Sequence, residues 1–488
     1  MSNNPVNQHQ QIIKDTGWYL LGTAIPIVIS LLRSPIFTRY FTPEEYGQYS
    51  LILITINILS VFLYTWMSNS IWRFYFKYKK EGRLNAFYSG LLLLHLAATL
   101  VFILIITPWS YLQENPLMTK LIVLIFIQTF QNQVLGFILV IFRLENRSGL
   151  YNAIHSVRAV LSFGVQALLA FVYDFRIEAI PIASILSEFV IMLILIVPVM
   201  KNIRLGFSKL SGSMLLEMGK FSLPGIATNL SIILLTFSDR YVISMYSDVS
   251  KVGIYNQVYM FSQVSVMAII NVFFSVINPT LLKVLEYEPG NVKRHFLVYF
   301  RYYLLIILPL VVWVSIFARP VTVIFFGEDF REGYDIIPWV AFSAYIFGYC
   351  LFRDNRFKFQ NKYRLVIIGF SFAAALNLGL NFLFIPEFGY KTAAVSTLLA
   401  YLFLHFYLYY FDNIKLTGER SYLKIVGKSI AVLLGEVIIH YAIVFGWQKL
   451  NVFESIVEGV VFLLMYLFIV IKPEYKALRE SMQKQQTT

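Results

Sequence analysis

Fourteen times along this 488-residue chain a run of about twenty apolar residues gives way to a polar break. A run of that length crosses a hydrocarbon core of roughly 30 Å as one α-helix. A transmembrane barrel would instead alternate over about ten residues, and these runs are too continuous for that. Charged residues make up only 14% of the sequence, against about 25% in soluble domains. The sequence therefore predicts an all-α polytopic membrane protein. Its expected spans are 17–38, 47–70, 86–107, 118–142, 150–173, 177–200, 221–244, 254–279, 297–317, 334–352, 363–385, 390–411, 423–444 and 453–471. Pro26, Pro181, Pro309 and Pro338 fall inside or near the starts of spans, where kinks are tolerated if other helices re-satisfy the freed carbonyls.

The connections between spans alternate in charge. "RFYFKYKKEGR", "KNIRLGFSK", "KVLEYEPGNVKRH", "RDNRFKFQNKYR", "KLTGERSYLK" and "KPEYKALRESMQK" are dense in Lys and Arg, while the intervening turns carry few. By the positive-inside rule, both termini are expected in the cytoplasm. The formal charge of +13 then records topology. Anionic lipid head groups are a sufficient partner for it, and nucleic-acid binding is not expected. The polar N-terminus lacks the charged, short-apolar, small-residue pattern of a removable signal, so the first run is expected to be retained. Cys350 is the single cysteine, which excludes an internal disulfide and a multi-cysteine metal site.

The chain repeats itself. Residues 145–190 lie over 360–404 at an offset that pairs Phe175 with Tyr390 and Arg176 with Lys391. Earlier, "SPIFTRYFTPEEYGQYS" (34–50) is echoed by "FSDRYVISMYSDVSKVGIYNQ" (237–257). There Arg39-Tyr40 meets Arg240-Tyr241, and Gly47 and Tyr49 meet Gly253 and Tyr255. The expected organisation is two six-helix lobes, 1–205 and 206–412, followed by a C-terminal helix pair and tail, 413–488. Six is an even number, so the repeat is parallel, with its pseudo-two-fold along the membrane normal. Such lobes usually enclose a substrate path.

Polar side chains inside spans are costly and tend to face a bundle interior or a cavity. His155, Arg158, Ser162 and Gln166 share one face of the fifth span. The repeat places Asn377 and Asn381 of the eleventh span over Ser162 and Gln166. Asn256, Gln263, Asn271 and Asn278 share a face of the eighth span, and Asn57 of the second span corresponds to Gln263. Arg33 stands in the first span beside Ser30 and Ser34. The candidate substrate-binding set is thus Arg33, Asn57, Arg158, Ser162, Gln166, Gln263, Asn271, Asn377 and Asn381. Interhelical hydrogen bonding is the competing role for each amide, at about 0.6 kcal/mol apiece. Among the acids, Glu188 and Glu436 are candidates to carry a coupling proton, Asp239 is expected to form a structural ion pair with Arg240, and Glu436 is expected to pair locally with His440. The histidines lack metal-ligand spacing, so no metal and no cofactor is expected. No GxxxxGK[ST] loop and no insertion large enough for a catalytic domain occurs, so the chain is not expected to be an enzyme.

The two corner stretches, together with "NLGLNFLFIPEFGYKTAAVSTLLAYL" (377–402), resemble the Wzx-type polysaccharide flippases of the multidrug/oligosaccharidyl-lipid/polysaccharide (MOP) superfamily. The resemblance covers about residues 12–471. It implies the MATE-like fold and a bacterial inner-membrane location. It implies an undecaprenyl-diphosphate-linked oligosaccharide as substrate, moved to the outer leaflet by alternating access, with polysaccharide polymerase or chain-length machinery as further partners. A cation or drug antiporter, a lipid II flippase and a non-transporting assembly scaffold are the alternatives.

Overall fold

The computed structural model describes residues 22, 24–145, 147–202, 211–287, 290, 292–412, 420–447 and 451–474. The described chain forms helices α1 (Ala24–Phe37), α2 (Pro43–Lys80), α3 (Leu84–Tyr111), α4 (Pro116–Leu144), α5 (Ser148–Phe171) and α6 (Ala179–Asn202). After the short α7 (Gly212–Ser222) come α8 (Pro224–Tyr246), α9 (Val249–Tyr287), α10 (Val292–Ile316) and the short α11 (Ala318–Phe325). A 3₁₀ segment, Glu328–Asp335, leads into α12 (Ile336–Phe359), then α13 (Tyr363–Phe388), α14 (Thr392–Phe411), α15 (Arg420–Trp447) and α16 (Val452–Tyr466). Among the described residues 13 helices are long and apolar enough to cross a membrane, and α1 covers the described part of the expected first span. The expected cytoplasmic placement of both termini falls on residues outside those described. Side chains such as Leu104, Ile194 and Val276 are more than 60% exposed on span surfaces, as lipid-facing positions must be.

By contacts the chain divides into two compact units, Met1–Asn256 and Gln257–Thr488, with the boundary inside α9. Helix pairing has a similar pattern within each unit. In the first, α6 packs on α5 and α4; in the second, α14 packs on α13 and α12.

The charged corner at 34–50 is a fastening between turns. Thr42 and Glu45 form a reciprocal capping box at the start of α2, with Thr42 N donating to Glu45 Oε2 at 2.8 Å. That satisfies amides that would otherwise be orphaned at a helix start. Glu45 also accepts two 2.9 Å bonds from Arg176, in the turn between α5 and α6. Beside them the Tyr40 hydroxyl donates to Asp174 Oδ1 at 2.6 Å. That bond pushes the Tyr40 phenol up from its ordinary pKa, keeping the donor protonated. Asp174 holds φ +54, a left-handed conformation that Asp tolerates better than most residues.

The glycines aligned by the repeat are where α2 and α9 cross. A Cβ on Gly253 would lie 1.8 Å from the Pro43 carbonyl oxygen, and one on Gly47 would lie 2.1 Å from that of Val249. No real Cβ survives at such distances, so the crossing requires glycine on both helices. Nearby, the hydroxyls of Thr55 and Tyr241 bond to each other. The two Arg-Tyr pairs differ sharply in environment. Arg39 is exposed and donates to the Pro35 carbonyl. Arg240 is fully buried and pairs with Asp239 at 2.6 Å, as expected, while Tyr255 donates to the other Asp239 oxygen at 2.7 Å.

At 38 residues α2 is about 57 Å long, far more than a bilayer core requires. Its far end meets α7, through Ser70–Ser222 at 2.7 Å and a Lys77–Glu217 ion pair at 2.5 Å. Lys77 and the Tyr78 hydroxyl hold the Glu217 carboxyl below its ordinary pKa. The stabilisation is therefore present above the normal carboxylate range and lost as pH falls through the folded value.

In the second unit α10, α12 and the later part of α9 share an aromatic core that includes Phe273, Phe300, Tyr303 and Phe352. The C-terminal pair α15–α16 seals onto α10 through Leu305, Leu433, Tyr466 and Val470. Here one expectation is corrected. Glu436 does not pair with His440: it accepts from Trp313 Nε1 of α10 at 2.9 Å, while His440 meets Glu458 of α16 at 3.0 Å. The two residues are i,i+4 neighbours, but packing rotates each toward a different helix.

Gly253→Ala is expected to cost about 1–3 kcal/mol by overpacking, measured as a lowered Tm in detergent. Gly136→Ala, where a Cβ meets nothing within 4 Å, is the control and should leave Tm unchanged or raised. Glu217→Gln should lower stability by less than about 1 kcal/mol, since the pair is half-exposed. That deficit should shrink as thermal melts are taken to more acid pH.

Candidate functional site

The first unit gathers its membrane-interior polar groups from five helices. On α5, Arg158, Ser162 and Gln166 fall on one face, and Ser162 and Gln166 are buried. Arg33 of α1 donates through Nη2 to Ser162 Oγ at 2.9 Å. Arg158 forms an ion pair with Glu188 of α6, which is fully buried. The other guanidinium nitrogen of Arg158 lies 3.4 Å from Asn132 Oδ1 on α4. His155, one turn earlier on α5, packs against Tyr151 with ring centroids 4.5 Å apart.

Helices α2 and α4 complete the cluster. The Tyr46 and Tyr49 hydroxyls are close enough to interact with the Arg33 charge. Tyr49 also hydrogen-bonds Gln128. Sequence reading did not single out Tyr46, Gln128, Gln131 or Asn132. The signal was present as "QTFQNQ" (128–133) inside an apolar run, with Gln128, Gln131 and Asn132 at i, i+3 and i+4, one helical face.

The cluster carries two guanidinium groups and one carboxylate. An Arg at the centre of a membrane helix costs roughly 2.5–3.5 kcal/mol on insertion scales, so two of them need a reason to be there. Their satisfaction is incomplete. Arg33 Nε, Gln128 Oε1, Gln131 Oε1, Gln166 Oε1 and Glu188 Oε2 are buried without a hydrogen-bond partner. Buried polar atoms are normally paired, and five orphans in one cluster leave donors and acceptors for a ligand.

The other expected residues have surroundings of their own. Asn57 is half-buried on α2, and its carbonyl accepts from Ser60 at 2.8 Å. It stands just before a π-helical turn at Val61–Thr65. Gln263 is half-buried and Asn271 exposed on the part of α9 that belongs to the second unit. Asn377 and Asn381 are fully buried. Asn381 donates to Asn377 at 3.1 Å, and Asn377 donates to Thr397 of α14 at 3.2 Å. Glu436 is buried on α15 and bonded to Trp313. A cavity of about 650 Å³ in the second unit, lined in part by Arg319, Trp339, His440 and Asn451, contains none of the expected residues. Among the described residues no group of three or more His, Cys, Asp or Glu could hold a metal ion.

Among the described residues, thirteen helices long and apolar enough to cross a membrane define a multi-pass α-helical membrane protein. Solved structures agree. The chain is similar to the lipid II flippase MurJ in its inward closed conformation, with a TM-score of 0.73 and 16% identity over 94% of this chain and 99% of that one. It is also similar to a mutant of the Vibrio cholerae MATE transporter VcmN, with a TM-score of 0.59 and 16% identity over 85% of this chain and 98% of that one. An uncharacterized membrane protein of Methanocaldococcus jannaschii is 23% identical over 448 residues, 83% of this chain and 84% of its own. The family model described as "Polysaccharide biosynthesis protein" matches residues 12–285, more than half of the chain. The chain belongs to that family of MOP-superfamily flippases, and its family and fold neighbours are transporters and flippases.

Removing one partner of a buried pair strands the other charge at a cost of about 3 kcal/mol or more, whereas removing both costs far less. Arg158→Leu alone should therefore destabilise the protein more than Arg158→Leu combined with Glu188→Leu. Thermal melts of the purified variants, analysed as a double-mutant cycle, check this.

Proposed function

We propose that this flippase moves an undecaprenyl-diphosphate-linked oligosaccharide from the cytoplasmic to the outer leaflet of a bacterial inner membrane by alternating access. In this reading both termini are cytoplasmic, and polysaccharide polymerase or chain-length machinery takes the product on the far side. Arg33 and Arg158 receive the diphosphate, and Ser162, Gln166, Asn57, Gln263, Asn271, Asn377 and Asn381 serve the sugar path. The observation that carries the proposal is the net-cationic cluster built from α1, α4, α5 and α6, in which Arg33 meets Ser162 and Arg158 meets Glu188. Arg suits a diphosphate because its planar fork donates paired hydrogen bonds to anionic oxygens, and amides and hydroxyls suit sugar hydroxyls.

A cation or drug antiporter would want an acid free in its interior. In the cluster the single acid is Glu188, and it is already bound to Arg158. A lipid II flippase uses the same head-group chemistry, and the likeness to MurJ keeps that substrate as the nearest alternative.

Arg33→Gln and Arg158→Gln, each at wild-type expression, are expected to abolish complementation of a flippase-deficient strain. Normal surface-polysaccharide export from both variants would overturn the assignment. Deleting the protein should make a lipid-linked intermediate accumulate on the cytoplasmic leaflet. The glycan on that intermediate distinguishes an oligosaccharide carrier from a lipid II flippase, and resistance to lipophilic cations would point to the antiporter instead.

A further inference from the structure

The Arg158–Glu188 pair is built for exchange. Glu188 is fully buried, one of its oxygens contacts Arg158, and the other has no partner. A carboxylate meant as a permanent strut is usually met on both oxygens, as Asp239 is by Arg240 on one and Tyr255 on the other. Arg158 by contrast is 23% exposed at its side chain, and it lies on the same face of α5 as Ser162, the partner of Arg33. An anion that reaches Arg33 along this stripe therefore meets a second guanidinium whose present counter-ion is only half held.

We infer that Glu188 is the resident counter-ion that the diphosphate displaces from Arg158, so that binding of the lipid-linked sugar is coupled to uptake of a proton by Glu188. The inference rests on the proposed function and adds a coupling residue and its mechanism to it. A diphosphate outcompetes a single carboxylate for a guanidinium because it brings more charge and more acceptor oxygens. The displaced Glu188 would then be a buried charge without a cation, a condition that buried groups resolve by neutralising. A proton from bulk water adds to the carboxylate, no other bond changes, and the reverse release frees the proton. In the empty state the same pair keeps Arg158 neutralised inside the membrane and shields it from small anions.

The groups that could compete for this role are few. Between Lys120 and Arg143 near its ends, α4 carries no ionisable side chain and presents Gln131 and Asn132. On α6, Glu188 and Lys201 are the ionisable residues. Beside Arg158, α5 adds His155, and α1 adds Arg33, whose charge interacts with that of Arg158. His155 is therefore the alternative proton acceptor.

The test uses the full-length protein in nanodiscs and a short-chain prenyl-diphosphate monosaccharide, a diester that keeps its charge between about pH 6 and pH 8. Titration calorimetry in buffers of different ionisation enthalpy counts the protons taken up on binding. The wild type should take up close to one proton per ligand, with affinity rising by up to about tenfold per pH unit on acidification. Glu188→Gln, which mimics the protonated acid, should bind at least as tightly as the wild type at the acid limit, with no uptake and no pH dependence. His155→Asn should keep the wild-type uptake. Binding by wild type with no proton uptake overturns the inference without need of any variant. So does folded Glu188→Gln that keeps the wild-type pH slope or does not bind, or loss of the slope in His155→Asn instead. Failure of the folded wild type to bind the probe at any pH overturns the functional reading and the inference with it.

Discussion

Within a bilayer core no water answers a polar group, so each charge in a span must find its partner in the protein. The first unit meets this requirement in two ways. Around Arg240 the partners are many: Asp239, the Thr236 carbonyl and Asn256 accept from it, and the rings of Phe237 and Tyr255 flank it at 5.3 and 4.9 Å. Around Arg33 and Arg158 the contacts are to Ser162, Glu188 and Asn132, and five buried polar atoms of the cluster have no hydrogen-bond partner. The side-chain chemistry is alike in the two places. What differs is exposure: Arg240 is fully buried among its partners, whereas the Arg158 side chain remains 23% exposed.

Backbone geometry decides where those charges can sit. The α2–α9 crossing brings main chains together at Gly47 and Gly253, closer than any side chain would allow. The capping box at Thr42 and Glu45 fixes where α2 begins, and Arg176 and Tyr40 tie that start to the α5–α6 turn. The register of Tyr46 and Tyr49 on α2 and of the stripe on α5 is thus set outside the membrane, by exposed charges whose own energetic worth is small. The corner's polar residues serve the site indirectly, by positioning the helices that carry it.

The spans and the polar face of the fifth span were legible because each is a periodicity, and periodicity follows directly from helix geometry. Partner choice was not. Glu436 and His440 are spaced as an i,i+4 pair, yet Trp313 and Glu458 take them from other helices. Arg39 and Arg240 align in the repeat, yet one is exposed and the other buried among Asp239 and Tyr255. Each outcome depends on how far a helix is rotated about its axis, which its own sequence constrains only through the burial it meets on packing. The α4 amides were overlooked for a related reason. Inside an apolar run, Gln128 and Gln131 look like isolated interhelical contacts until Arg33 and Tyr49 are placed beside them.

Along the aligned polar stripes of α5 and α13, only the first carries a charge. Helices α5 and α13 occupy equivalent places and pair with α6 and α14 in the same way. On α13 Asn381 bonds Asn377, and Asn377 bonds Thr397, all three fully buried, while Asn381 Oδ1 has no hydrogen-bond partner. Such amide contacts hold helices together at modest gain. On α5 the equivalent positions hold Ser162 and Gln166, and the stripe continues to Arg158, with no arginine at its equivalent, Ala373. Ser162 accepts from Arg33 of α1. Glu188 then becomes necessary, because a second guanidinium so near could not remain in the membrane without a counter-ion. Within the aligned stripe, Arg158 is the position at which α5 and α13 differ in charge, and Glu188 of α6 balances it.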